Sequence, residues 1–203
     1  LSQPAGRYMV LDVETQRGFN EVERKKIHLL KISVACIYDS KTDAYQAFEE
    51  KELLKLEELM KQADLLIGFN ILDFDMEVLA PYLLTPVKNF PVLDLLVEFE
   101  KSRGHRISLQ SLAQATLGAS KSGTGWDAIQ LYKDGRLDEL KKYCMDDVRI
   151  TKDIYEYGAK HGVIKFVSNR DYQTYEVPVT WGGALKEIKE KKKAQDAFPT
   201  SLF

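Results

Sequence analysis

The sequence predicts an α/β protein in which a mixed five-stranded sheet is flanked by helices. Three observations predict it. Three strand-like runs open the chain with only a loop and a turn between them. Two later apolar runs, at 65–69 and 90–94, are each reached through a helical pattern. The remainder is mostly helical. The order β-β-β-α-β-α-β-α-α therefore places an antiparallel meander ahead of strands that need helical crossovers.

Each element has a local reason. Residues 7–13 alternate as a strand. Residues 16–26 are polar and contain Gly18 and Asn20, which marks a loop or hairpin tip. Residues 28–38, rich in Ile, Val and Leu, predict a long second strand, 39–43 a turn and 44–48 a third strand. Residues 49–63 set Leu53, Leu56, Leu59 and Met60 at helical spacing, with acids early in the segment, as the helix dipole prefers. Residues 65–69 are wholly apolar, the mark of a buried parallel strand. Residues 73–84 form a second helix stopped near Pro81 and Pro86. A short strand follows at 90–94, and Asp94 caps a helix over 95–101.

Ser108 caps the next helix, which carries Leu109, Leu112, Ala113 and Leu117 and ends at Gly118. A Ser/Gly/Lys loop at 120–125 leads to a short helix at 126–132. Residues 137–157 make a long amphipathic helix ended at Gly158. Strand-like runs at 163–167 and 174–179 come next, then a Lys/Glu-rich solvated helix at 186–193 and a loose tail at 197–203. The expected organisation is one domain over 1–167 and a C-terminal extension over 168–203.

A chain of 203 residues with 44% hydrophobic and 30% charged residues suits one well-buried globular domain. No apolar run approaches the length of a membrane span, and no signal-peptide pattern opens the chain. Cys36 and Cys144 lie far apart in apolar or helical segments, which predicts buried, reduced thiols and a cytoplasmic location. His28, His105 and His161 have no ligand spacing, which argues against zinc. A net charge of −2 excludes a generically basic nucleic-acid coat protein.

Acids carry the chemistry. Period two puts Val10, Asp12 and Glu14 on one face of the first strand, with Leu11 and Val13 on the other. Two carboxylates one pleat apart repel unless a cation or proton lies between them. Asp75 falls just past the fourth strand, at a helix start. Tyr143 and Asp147 are four apart on the last long helix and share a face. Each has a plainer reading: a strand end in solvent, a helix N-terminal acid at Asp75, a surface acid at Asp147, a core aromatic at Tyr143. Convergence of acids from three elements on one end of the sheet is what weakens the plainer readings together.

Asp12-x-Glu14, Asn70-x-x-x-Phe74-Asp75 and Tyr143-x-x-x-Asp147 match, in order, the three motifs of the DEDD 3′–5′ exonuclease superfamily. The tyrosine makes the chain resemble the tyrosine branch, and the proofreading domains of family B DNA polymerases have the same three patterns. The text around the third motif also resembles small stand-alone or helicase-associated ribonuclease H-like proteins. The resemblance covers residues 7–167, no motif residue departs from it, and 203 residues leave no room for a polymerase.

It implies a ribonuclease H-like fold and a phosphodiester hydrolase that uses two divalent ions, Mg²⁺ or Mn²⁺, roughly 3.5–4 Å apart. Asp12 is then the bridging ligand, Glu14 and Asp147 complete the first ion's site, and Asp75 holds the second through water. Tyr143 orients the attacking water, since a tyrosine hydroxyl ordinarily ionises only near pH ~10. The implied substrate is a single-stranded DNA or RNA 3′ end, releasing nucleoside 5′-monophosphates. Thr15 and Asn70 are the implied contacts to the terminal nucleotide, although Asn70 equally suits a backbone-bonding role at a strand end. Arg106, in a basic cluster with Lys101, Arg103 and His105, and Lys121 are candidate phosphate contacts. A helicase partner is suggested by the resemblance. A sliding-clamp partner is suggested by the final Pro199-Thr200-Ser201-Leu202-Phe203. The alternative is a catalytically quiet nucleic-acid-binding or adaptor module, which has no need of all five motif residues. A ribonuclease H-type endonuclease is disfavoured by the late Tyr-x-x-x-Asp helix.

Overall fold

A computed structural model describes residues 6–23, 26–119 and 125–196. Lys121 and residues 197–203, which include the 199–203 segment of the clamp expectation, lie outside the described residues. Strands β1 (Tyr8–Thr15), β2 (Ile32–Asp39) and β3 (Ala44–Glu49) form the antiparallel meander. Strands β4 (Leu65–Gly68) and β5 (Val92–Asp94) join parallel to β1, giving the order β3-β2-β1-β4-β5 with β1 central. The helices are α1 (Leu53–Met60), α2 (Asp75–Leu79), α3 (Leu95–Arg103), α4 (Leu109–Leu117), α5 (Gly125–Lys133), α6 (Leu137–His161) and α7 (Trp181–Asp196). A separate hairpin, β6 (Val163–Val167) with β7 (Thr174–Pro178), lies between α6 and α7. Among the described residues no helix is long and apolar enough to cross a membrane.

The alternation read in β1 sorts the core into two layers. Val10 packs with Val34, Cys36 and Ile67 beneath α6, whose Leu140, Tyr143, Cys144 and Val148 are buried. Met9, Leu11 and Val13 pack on the other face with Leu56, Met60, Met76 and Leu79. Asp12 and Glu14 therefore share the α6 face, as the period requires. The C-terminal segment adds Val177, Trp181 and Leu185 to the α6 layer.

Several boundaries differ from the sequence expectation. The second strand starts at Ile32, because residues Ile27–Leu30 form a 3-10 turn and Lys31 takes a left-handed φ of 57°. The first helix is shorter, since Glu49 still pairs in β3 and Glu50–Glu52 form a 3-10 turn. The second helix shrinks to Asp75–Leu79, followed by a 3-10 turn around Pro81. The last long helix passes through Gly158 and ends at Gly162, φ 69°. Gly158 instead lets Trp181 of α7 seat against the α6 backbone, where any Cβ would overlap the indole ring. Gly158→Ala is therefore expected to lower stability by about 1–3 kcal/mol despite alanine's better helix propensity. Denaturant unfolding would check this, and combining it with Trp181→Leu should remove most of the penalty.

Candidate active site

Central strand β1 outruns its parallel neighbour. Pairing with β4 stops at Val10 opposite Ile67. β4 ends at Gly68, where the chain folds back so closely that a Cβ would lie 2.5 Å from Ile71 Cβ. Pairing with β2 continues to Thr15, with an irregularity between Glu14 and Thr15. Residues 12–15 thus stand past the last parallel pair, at the carboxyl end of the parallel strands, where open α/β sheets hold ligands.

Two buried aspartates fix the turns around this end. The Val13 N–H, on the side β4 has left, donates to Asp75 Oδ1 at 2.9 Å. At the end of β5, Asp94 caps α3 as its sequence position predicts, with Oδ1 accepting from Leu96 N and Val97 N at 3.0 and 3.3 Å. The same carboxylate also accepts from Asn70 N at 2.9 Å and Leu72 N at 3.0 Å. It therefore ties the turn after β4 to the start of α3. Four backbone donors on one carboxylate are strong, charge-assisted bonds.

Helix α6 brings the third acid. Oxygens of Asp12, Glu14 and Asp147 all lie within 4.8 Å of one another, with Asp147 buried and the β1 pair half-buried. Cys144, three residues before Asp147, donates to the Asp12 carbonyl at 3.4 Å and to Asp12 Oδ2 at 3.6 Å. Cys36 sits opposite Asp12 in the β1–β2 register. Both cysteines are free and buried, and burial, with a hydrogen bond to Cys36, pushes the Cys144 thiol up. The two thiols, distant in sequence, thus flank one acid.

These acids open on a cleft of about 540 Å³. Asp12, Glu14, Asp75 and Asp147 line it together with Thr15, Arg17, Phe19, Asn20, Phe69, Phe74, Trp126 and Ile129. Arg17 is the one cationic side chain among the described lining residues. Burial, opposed by the Val13 N–H and reinforced by Asp94 and Asp147, raises the Asp75 carboxyl to about 7. Oxygen donors clustered with so little counter-charge match a hard divalent cation.

Of the residues singled out by sequence, Asp12, Glu14, Asp75, Asp147 and Thr15 reach the cleft. Asp75 lines it without joining the three-acid cluster. Thr15 is buried and its hydroxyl donates to the Arg17 carbonyl at 2.8 Å. Tyr143 lies one turn before Asp147, buried in the α6 layer, and is not among the lining residues. Asn70 and Arg106 stand away from the lining and bond each other. Asn70, at a left-handed φ of 65°, accepts from the Arg106 guanidinium, which also pairs with Asp73 and Glu100 at 3.3 Å. Sequence reasoning missed Arg17, Phe19, Phe69 and Trp126. The nearest signal was the polar 16–26 loop directly after the two acids.

A family model described as the RNase_H superfamily matches residues 9–158. No curated protein matches the chain. Among solved structures, the family B DNA polymerase from the hyperthermophilic archaeon Pyrobaculum calidifontis is similar, with a TM-score of 0.59 and 17% sequence identity. That match covers 76% of this chain and 25% of the polymerase chain, so the present sequence spans about a quarter of its length. At that identity the likeness is one of fold.

The Asp75 environment sets a pH dependence for the metal-free protein. An acid raised from 3.8 to about 7 on folding withdraws stability as pH rises through that window. Asp75→Asn keeps an acceptor for Val13 N–H and removes the charge. In chelator at pH ~8 it is expected to be more stable than wild type, on the order of 1–3 kcal/mol, with the difference gone near pH ~4. Thermal unfolding across pH checks the sign.

Proposed function

This chain belongs to the RNase_H superfamily, and on that premise we propose that it is a metal-dependent nuclease, a 3′–5′ exonuclease acting on single-stranded nucleic acid. The observation that carries this reading is the meeting of Asp12, Glu14 and Asp147 within 4.8 Å, in a cleft that Asp75 also lines. The directional part rests on the three ordered motifs and on their placement: Asp12 and Glu14 on the central strand, Asp75 at the start of α2, Tyr143 and Asp147 on α6.

The donor set fits Mg²⁺ or Mn²⁺, being carboxylate oxygen only and held by two rigid elements. Asp12, Glu14 and Asp147 would hold one ion, and Asp75, which lines the same cleft, would serve a second. Such ions, when bound, activate water and stabilise the leaving oxygen. The chain itself does the positioning. The Val13–Asp75 bond locks the carboxyl end of β1 against α2, so Asp12 and Glu14 present their oxygens from a fixed backbone. The Cys144 contacts to Asp12 hold α6, and with it Asp147, at a set distance from β1. Tyr143, buried one turn before Asp147 and outside the cleft lining, would orient the attacking water, a role that rests on the third motif alone.

Water adds to the phosphorus of the last phosphodiester, and the bond to the 3′ oxygen of the penultimate nucleotide breaks. That oxygen takes up a proton to become the new 3′ hydroxyl, and the terminal nucleoside leaves as its 5′-monophosphate. Thr15, whose hydroxyl bonds the Arg17 carbonyl, lines the cleft and would contact the terminal nucleotide. Asn70 and Arg106, bonded to each other at the turn after β4, are the further candidates for contact with the strand.

Degradation of 5′-labelled single-stranded DNA and RNA with Mg²⁺, Mn²⁺ or chelator tests the reading. The expected result is stepwise shortening from the 3′ end, abolished by chelator and lowered at least ~100-fold by Asp12→Asn or Asp147→Asn. Tyr143→Phe should lower the rate less, by roughly ten- to a hundredfold. Rapid cutting of a circular single strand would replace the exonuclease with an endonuclease. Binding of both polymers without cleavage in either metal would leave only a nucleic-acid-binding module.

A further inference from the structure

The basic cluster at 101–106 has no place in the cleft, and the fold neutralises much of it. Lys101 pairs with Glu98 at 2.8 Å, and Arg106 pairs with Asp73 and Glu100 at 3.3 Å. The His105 ring packs against Phe99 and Phe166, at centroid distances of 5.4 and 5.6 Å. Arg103 differs. Its guanidinium lies over the Phe166 and Tyr175 rings of the β6–β7 hairpin, 4.9 and 5.8 Å from their centroids. Among the described residues it pairs with no carboxylate, and neither does exposed Arg170 in the hairpin loop. A guanidinium stacked on a ring is held flat and keeps its N–H edge for phosphate.

The loop itself, residues 168–173, is firmly built. Ser168 N donates to the Gln173 carbonyl and Tyr172 N to the Ser168 carbonyl, both at 2.9 Å. Asp171 accepts from Gln173 N at 3.1 Å and from the Tyr175 hydroxyl at 2.6 Å. Thr116 of α4 exchanges two hydrogen bonds with the Lys165 backbone of β6, at 2.9 and 3.0 Å. So fixed a loop nonetheless holds Tyr172 at a left-handed φ of 58° and 82% exposed. A bulky residue in that region is strained, and an exposed ring gains no burial in return. Folding alone would favour Asn or Gly there. The hairpin also lies beyond residues 9–158, which carry the family match.

An exposed ring beside two cations without acid partners, on a rigid support, suits an unpaired polynucleotide, which offers a π-face and a phosphate at every step. The nearby acids are already engaged, Glu176 with Lys165 at 3.7 Å and Asp171 within the loop. We propose that the hairpin loop and the end of α3 form a second nucleic-acid contact outside the catalytic cleft, in which Tyr172 stacks on an unpaired base and Arg103 and Arg170 hold phosphates. The choice of polymer rests on the nuclease reading above. What the contact adds is a length threshold. A strand that reaches both cleft and hairpin gains the second contact at high effective concentration, whereas a shorter one is held by the cleft alone.

The full chain carrying Asp12→Asn, with Mg²⁺, would be titrated with 5′-labelled thymidine and uridine oligomers of about 3, 6, 12 and 20 nucleotides, followed by anisotropy. Affinity is expected to rise in a step once an oligomer spans both contacts. Tyr172→Asn should remove that step, weakening the longest oligomers roughly tenfold and leaving the shortest unchanged. Asparagine accepts the left-handed backbone, so this variant should melt no lower than its parent, a combination that a structural role for the ring would not give. Arg170→Gln should lower the salt slope for long strands by about 0.7 and leave that of short ones alone. In the active protein, Tyr172→Asn should raise KM for long strands by roughly tenfold at unchanged kcat.

If both variants bind every length like a parent that cleaves, the hairpin contact is overturned and the nuclease stands. The same result with a dimer in sedimentation that Tyr172→Asn disperses would overturn it too, giving the face to a second copy of the chain. Length-dependent binding that the variants lose, without cleavage by the active protein, would keep the contact and overturn the nuclease reading. A parent that neither binds nor cleaves would overturn both.

Discussion

One hydrogen bond organises the functional end of the molecule. Strand β1 continues past the point where β4 turns away, which leaves the Val13 N–H without a strand partner on that edge. Asp75 fills that place by accepting from Val13 N–H at 2.9 Å. A carboxylate is thereby drawn into a buried position that feels Asp94 and Asp147, at the cost of desolvation and like-charge repulsion. Only a cation or a proton relieves that, and the raised Asp75 carboxyl shows the proton's claim on the site when metal is absent. Chain topology and site chemistry are in this sense the same fact.

The surrounding structure keeps the acids from drifting apart. Asp94 gathers four backbone N–H groups from two segments, so the turn after β4 and the start of α3 move as one piece. Helix α6 carries Asp147 as part of a 25-residue rod, anchored near one end by Cys144 on β1 and near the other by Trp181 under Gly158. A site that must hold like charges close together is built where its supports are stiffest.

Much of this was legible because it is periodic. Val10, Asp12 and Glu14 share a face by the strand's period of two, and Tyr143 and Asp147 share one by the helix's i, i+4 spacing; both relations are local and survive folding unchanged. Asp94 was readable as a helix cap, but its second role joins residues 22 and 24 positions away, which no local rule foresees. Gly158 read as a helix end because glycine usually ends one, whereas here it makes room for a ring more than twenty residues later in the chain. Phe19 and Trp126 had no period to announce them. Their meaning comes from a loop and a helix start that only the tertiary fold brings to one cleft.

The double employment of Asp75 also governs how genetics at this site must be interpreted. A truncation to alanine would silence the protein for two separable reasons, since it deletes a charge and also orphans a buried donor on the central strand, a defect of about 1–3 kcal/mol. Loss of function from that allele would say nothing about chemistry. Asp12 and Glu14 project from β1 itself, whereas Asp75 reaches β1 from α2 through the Val13 bond. Position 75 is thus where an amide, not a methyl, is the informative lesion.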